Sequence, residues 1–398
     1  MKKSQNKLTF FKILSKCKYN FKKPKDHNLI VLDDTSIEYL ENILEGREYF
    51  TLITRSENLK KIYLTPKIIF YILFYFRGNL FSAYICSLVK VISPSIVITY
   101  IDNSPRFHIL ARLFNDKIKF LAIQNAARYE VDISEYLIKK KINFYDYKNY
   151  FVPYFLCFGQ HEIDYYKKKK IKVNNFKKIG SIKVSNFRRK EKNRLFKKKK
   201  YDICLISDAA FNFDNFFQLK GFEEGFAKIV KYTIKFCKKN NRKLIFPIKR
   251  YVKNDKLNEI YFFKKNLSNI EFNFLLKNSV KKNIKNKYTS YEKICESNVS
   301  LGCVTTMLRE ALSLGKKIMV CNFSPTKIFD FPLKEFFYLK NPSYQDFEKK
   351  LKIILSLSEK KYFDLLKKKR NYMIQDSNKI DANDEVNTFI DNILKKKV

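Results

Sequence analysis

The sequence predicts an α/β protein with two doubly wound halves, each a parallel sheet flanked by helices. Three observations lead there. Strand-length apolar runs alternate with helical stretches in two successive blocks. A segment that is almost purely charged separates the blocks. Short polar clusters fall where strands end, which is where open α/β sheets bind ligands.

The first block opens with LIVLDD (Leu29–Asp34), an apolar strand ending in two acids. Ile37, Leu40 and Leu44 share one face of a helix over Ser36–Leu44. Tyr49–Thr54 is the next strand, followed by apolar helices near Pro66–Phe76 and Leu80–Ile92. The run Ile68–Phe76 is too short to span a bilayer, which takes ~20 residues. It is expected to be a buried helix, with shallow contact to a membrane surface as the alternative. Ser95–Asp102, rich in β-branched residues, reads as a buried strand. Phe107–Phe114 is a short helix, and Lys119–Asn125 and Tyr154–Gly159 are strands. His161–Lys170 is a helix, and Lys177–Phe187 is read as extended chain around a Gly-Ser turn.

FRRKEKNRLFKKKK (Phe187–Lys200) is the natural linker. The division expected is a first half over 1–190, a basic linker over 191–200 and a second half over 201–398. In that second half Tyr201–Ser207 is a strand, and Gly221–Lys239 is a helix with Phe222, Phe226, Ile229 and Ile234 on one face. Lys243–Lys249 is a strand, Asp255–Leu267 a helix and Ile270–Leu276 a strand. Ser290–Ser297 is a short helix and Asn298–Gly302 a strand. The helix Thr305–Leu314 is closed by Gly315, the strand Lys316–Asn322 follows, and two or three helices are expected from Ser343 onward.

The chain's 398 residues suffice for two cores. Its 81 Lys+Arg against 39 Asp+Glu give a net charge of +42. An apolar load that includes 38 Phe and 26 Tyr excludes a disordered polycation, and 8 Gly and 9 Pro exclude a collagen-like chain. The over-used Lys, Asn, Ile, Phe and Tyr all have AT-rich codons. The charge therefore has two readings: genomic drift, or a surface suited to phosphates, acidic lipids, acidic glycans or nucleic acid. The lysine runs Lys167–Lys170 and Lys197–Lys200 lack interleaved aromatics, so they read as solvated faces, and no specific nucleic acid is expected. Eight scattered cysteines without a C-x-x-C pair, and three histidines, give no zinc spacing and point to reducing cytoplasm. The N-terminus does not read as a signal peptide, because Lys12 and Lys16 interrupt its short apolar stretch.

Five strand ends carry polar clusters: Asp102 to Pro105, Gln124 to Arg128, Ser207-Asp208, Lys249-Arg250, and Gly302 to Thr306. The last runs from a strand into an apolar helix containing Glu310, which places backbone amides and hydroxyls at a helix N-terminus suited to a phosphate. Lys249 and Arg250 would add charge there. Equally, Thr305 serves as a simple N-cap and Lys249-Arg250 as a solvated turn. Neither a P-loop nor a G-x-G-x-x-G fingerprint is present, and there is no G-x-S-x-G. Asp102 is the leading candidate for a general base; an Asx turn into the following helix is its plainer role. Gln124, Asn125 and Arg128 are candidates to hold a substrate or to satisfy loop backbone. His108 and His161 read as structural, and Glu162 and Asp164 are fallback acids.

The block from Ile92 to Glu130 resembles a bacterial family of surface-carbohydrate biosynthesis transferases, on the strand ending Thr99-Tyr100-Ile101-Asp102-Asn103 and the strand carrying Ile123-Gln124-Asn125. The segment Tyr154–Lys183 is similar to that family's next stretch. The segment from Ser290 to Phe323 resembles the donor-site signature of GT-B glycosyltransferases, in which a hydroxyl pair opens a helix containing Glu-Ala, here Glu310-Ala311. The resemblance spans roughly residues 28 to 325. It departs at Ala126, where the family has glycine, and at Phe246-Pro247, where sialyltransferase-like members carry His-Pro.

The resemblance implies two Rossmann-type domains facing a cleft and metal-independent glycosyl transfer without a cofactor. The nucleotide-sugar donor is then a substrate, and the acceptor is a surface polysaccharide or lipid-linked glycan. Thr305, Thr306 and Glu310 would contact the donor, with Ser207, Lys249, Arg250 and Gly302 nearby. Asp102 would be the base, with Asn103, Gln124, Asn125 and Arg128 on the acceptor side. A polyol-phosphate transferase, a polyanion-binding protein and a non-catalytic scaffold are the alternatives. The expected place is cytoplasmic, with peripheral contact at the inner membrane.

Overall fold

The computed structural model describes residues 15–35, 37–55, 58–127, 150–191, 199–208, 221–248, 253–280, 286–325, 327–367 and 369–395. Arg128, Lys249 and Arg250 lie outside the described residues.

The N-terminal half holds β1 (Lys18–Asn20), β2 (Leu29–Leu32), β3 (Tyr49–Leu52), β4 (Lys61–Tyr63), β5 (Ile96–Thr99), β6 (Lys119–Ile123), β7 (Phe151–Cys157) and β8 (Lys172–Lys178). Six of them form one parallel sheet in the order β3-β2-β5-β6-β7-β8, while β1 and β4 pair as a short parallel ribbon. The central strands LIVL and IVIT are buried along their whole length, as strands covered on both faces must be. Alternate residues serve opposite cores. Ile30, Leu32 and Val97 face α2 (Pro66–Tyr75), α3 (Leu80–Ile92) and α4 (Pro105–Phe114), with α1 (Glu41–Leu44) on the other side.

The C-terminal sheet runs β11-β10-β9-β12-β13-β14, again parallel throughout. Its strands are β9 (Tyr201–Leu205), β10 (Leu244–Pro247), β11 (Ser279–Val280), β12 (Ser297–Gly302), β13 (Ile318–Asn322) and β14 (Tyr338–Lys340). After α5 (Gln160–Lys168) and α6 (Ile182–Lys190) of the first half, its helices are α7 (Phe222–Lys239), α8 (Lys253–Asn266), α9 (Asn269–Lys277), α10 (Thr289–Cys295) and α11 (Thr306–Ser313), then α12 (Tyr344–Ser356), α13 (Glu359–Leu366), α14 (Lys369–Met373) and α15 (Ala382–Lys395). In both sheets the strand order reverses beside the first strand, between β2 and β5 and between β9 and β12. These are the crevices at which such sheets take ligands.

Four expectations are corrected. Ile270–Leu276 is helical, because Ser268 and Glu271 form a reciprocal capping box that starts α9. The extended segment expected over Lys177–Phe187 becomes helix α6 after β8, opened by Ser181, whose hydroxyl accepts from Val184 N. Helix α2 forms as expected but is not buried: Ile68 alone among its residues is in the core. Finally, α15 returns to the N-terminal sheet, where Ala382, Val386 and Ile390 pack with Leu29, Val31 and Ile96.

The halves join along an apolar seam in which Val184 and Phe187 of α6 meet Tyr288, Tyr291, Cys295 and Leu314. The Phe187 and Tyr291 rings stack with centroids 5.4 Å apart. All eight cysteines are buried and none forms a disulfide. Among the described residues no helix is long and apolar enough to cross a membrane.

Candidate functional site

The C-terminal crevice is built from the ends of β9 and β12. Asp208, just past β9, accepts hydrogen bonds from Cys303 N (2.8 Å) and Val304 N (3.2 Å). A Cβ on Gly302 would sit 3.3 Å from Leu308 Cδ1 and 3.4 Å from Asp208 Oδ2, so the glycine packs closely between the helix and the carboxylate. Asp208 therefore holds the two amides before the helix, and α11 begins two residues after the second of them. Thr305 is its N-cap, with Oγ1 accepting from Met307 N at 3.4 Å. Ser207 donates its hydroxyl to the buried Glu259 carboxylate of α8.

On the N-terminal side Asp102 is fully buried at the end of β5, and its Oδ1 accepts from Asn125 N at 3.3 Å. That bond ties the loop after β5 to the loop after β6. Asn103 offers its carbonyl to Tyr150 Oη at 3.5 Å. Gln124 braces the same region: Phe158 N donates to its Oε1 (2.7 Å), and its Nε2 donates to the Ala126 carbonyl (2.9 Å). Ala126 is not among the residues with positive φ, so the loop accepts a Cβ where the resembling family has glycine. His108 sits in the core with Nδ1 3.0 Å from the Phe151 carbonyl, and burial pushes its pKa down to about 4.

Three contacts carry the site across the two halves. Ala127 N donates to Thr306 Oγ1 at 3.0 Å. Glu310, one helical turn on, accepts from Ser181 Oγ (2.7 Å) and from Tyr291 Oη (2.9 Å). Arg309 and Glu162 form an ion pair at 2.5 Å with both side chains fully excluded from solvent.

Burial pushes the Glu310 carboxyl above its ordinary range, opposed by the charge of Lys183 and by the two hydroxyl donors. Lys183 points into the same place. Its Nζ lies 3.4 Å from the Asn125 carbonyl and 4.9 Å from the centre of the Tyr39 ring. Burial, with Glu38 and Glu310 adding negative charge, raises Tyr39 to about 12.

The structure thus gathers Asp102, Asn125, Thr305, Thr306 and Glu310 around one seam. Gly302 shapes its floor, Gln124 braces a wall, and Ser207 turns toward Glu259. Arg309, Ser181, Lys183 and Tyr291 belong to the same cluster and were not singled out from the sequence. The partners of Arg309 and Glu310 lie 147 and 129 residues away, and no local pattern encodes such distances. The charged pair Arg309-Glu310 inside an otherwise apolar helix was the one available signal.

No family model matches the sequence, and no curated protein matches it. Solved structures do. UDP-N-acetylglucosamine 2-epimerase from Rickettsia bellii superposes with a TM-score of 0.53 at 13% identity over 96% of this chain and 96% of that one. UDP-GlcNAc 2-epimerase from Neisseria meningitidis, solved bound to UDP-GlcNAc, gives 0.52 at 13% identity over 92% of this chain and 99% of that one. The wall teichoic acid polymerase TagF, as an H444N variant, gives 0.50 at 7% identity over 94% and 90%. At these identities the likeness speaks for architecture: the chain has a GT-B-like fold of two parallel-sheet domains.

Proposed function

We propose that this chain is a transferase that moves a sugar from a nucleotide-activated donor to a glycan or lipid-linked acceptor. One observation carries the reading. Helix α11 starts at the C-terminal crevice and meets the opposite half through Thr306 and Glu310, so a donor bound at its amino end would lie against the acceptor side. The helix dipole and the amides near Thr305 and Thr306 suit the donor phosphates. Glu310 accepts two hydroxyl hydrogen bonds from protein groups. A donor's ribose hydroxyls would replace like with like. Ser207, Lys249 and Arg250 complete the proposed donor side, and Asn103, Gln124, Asn125 and Arg128 the acceptor side.

In the proposed step Asp102 takes the proton of an acceptor hydroxyl as its oxygen bonds to the sugar's anomeric carbon. The bond from that carbon to the donor phosphate oxygen breaks, and the nucleotide leaves with the electron pair. Lys183 and the α11 amides would stabilise the charge that develops on it. No metal enters this scheme. Polyol-phosphate transfer is the second reading, favoured by the likeness to the TagF fold. There the proton transfer is the same, the acceptor oxygen bonds to the donor's outer phosphorus, and the phosphoanhydride bond breaks so that the nucleoside monophosphate leaves with the electron pair.

Thermal-shift screening with UDP, CDP, CMP, GDP and dTDP sugars tests the proposal. A donor at 100 times its Kd should stabilise the fold by about 2.7 kcal/mol, and Thr306→Ala and Glu310→Ala should remove the response. Stabilisation by none of them, together with salt-sensitive DNA binding, would favour the polyanion reading instead.

A further inference from the structure

We propose that the N-terminal half docks on an anionic lipid bilayer through helix α2 and the apolar side chains that flank it. The helix is well started: Thr65 Oγ1 accepts from Ile68 N at 3.2 Å, and Pro66 occupies the first turn. Yet it turns an apolar face outward. Phe70 is 61% exposed, Leu73 73% and Phe74 59%. The apolar surface continues past the helix. Tyr75 meets Phe114 of α4 with ring centroids 5.6 Å apart, which brings the exposed Ile109 and Leu113 of α4 alongside. At the other end Leu64 N donates to the Asn20 carbonyl at 2.8 Å, which fixes the 74% exposed Phe21 beside the start of the helix. Most of the large apolar side chains exposed among the described residues belong to this one region, and a contiguous patch of that kind marks an interaction surface.

The charge around the patch selects the partner. No Asp or Glu occurs between Lys60 and Ile101. Lys60, Lys61, Lys67 and Arg77 are exposed around α2, and Lys18 and Lys22 are exposed next to Phe21. An isologous dimer through this face would bring those cations against their own copies. An anionic bilayer instead neutralises them while the apolar residues enter the acyl boundary, which is how an interfacial helix binds. The helix has ten residues, too few to span, so it would lie in the membrane plane. Near its start a groove of about 240 Å³ is lined by Phe50, Tyr63, Tyr84 and Leu88, with Lys60 and Lys61 and the carboxylate of Asp34 also on its wall.

The test is co-sedimentation of the full chain with vesicles of phosphatidylcholine alone or mixed with phosphatidylglycerol. The chain should pellet with the mixed vesicles, and added salt should weaken that binding. The double variant Leu73→Asp/Phe74→Asp should lower vesicle affinity about tenfold or more, with unchanged circular dichroism and melting because both positions are exposed. Lys67→Glu/Arg77→Glu should abolish the preference for phosphatidylglycerol, which separates the electrostatic part from any effect on folding.

Three results would overturn the inference. The chain could fail to bind mixed vesicles, it could bind them equally after Leu73→Asp/Phe74→Asp, or light scattering could show a dimer that this variant dissociates while vesicles bind neither form. Nucleotide stabilisation, read in solution on the same variants, should persist, so docking and donor binding fail independently.

Discussion

Arg309→Leu perturbs the closure of the two halves most sharply. The Arg309–Glu162 pair spans the halves with neither side chain exposed to solvent. Burial already pushes Glu162 above its ordinary range, and the Arg309 charge, helped by the Gln124 amide, pulls it back. Removing Arg309 leaves a buried carboxylate without its cation, which costs about 3–5 kcal/mol. With about 2–4 °C of melting temperature per kcal/mol for a unit of this size, the drop should be roughly 6–20 °C. Glu162→Leu in the same background removes the stranded charge, so the double variant should recover most of the loss, ending near wild type or above it. Guanidinium titration and thermal melts of wild type, both single variants and the double variant supply the cycle. A cost below about 1 kcal/mol for Arg309→Leu is what a solvated surface pair gives. That value, or single effects that simply add in the double variant, would refute the described closure.

Three further outcomes follow from the same contacts. Thr306→Val strands the Ala127 amide, which should cost about 1–3 kcal/mol of stability and raise the Kd for the donor nucleotide about tenfold by isothermal titration. Glu310→Gln addresses pH. Because burial holds Glu310 above its ordinary value of 4.5, the folded chain keeps this proton longer than the unfolded chain. Its contribution is therefore complete below pH 4.5 and is lost as pH rises through the raised value. The variant should flatten that decline in denaturant titrations run upward from pH 4.5. Gly159→Ala tests the C-terminal return: a Cβ there would meet the Tyr372 carbonyl oxygen at 2.7 Å and Ile374 N at 2.9 Å, and overpacking against backbone should lower stability by about 1–3 kcal/mol.

The architecture was readable because its central strands are buried. LIVL, IVIT and the FLAI of β6 are short apolar runs bounded by polar residues, and helices fall between them. Ile270–Leu276 misled because a short apolar run does not distinguish strand from helix. The deciding signal was outside it, in Ser268 and Glu271. Helix α2 misled in another way. An apolar sequence fixes its wish to leave water, but what covers it depends on the surrounding fold.

The same split holds for the site. A strand passing through Gly302 into Thr305 and Glu310 is a local pattern and could be read directly. Contacts such as Ser181 with Glu310, Ala127 with Thr306 and Arg309 with Glu162 join segments that only the folded chain brings together.

Photoaffinity labelling with azido-nucleotides, followed by peptide mapping, asks the central question most directly. If the seam at α11 receives the donor, the label should fall on Ser297–Ser313 and on the loops facing it around Asp102 and Asn125, and unlabelled nucleotide should compete it away. Competed labelling confined to other surfaces, or none for any nucleotide, would contradict donor binding between the two halves.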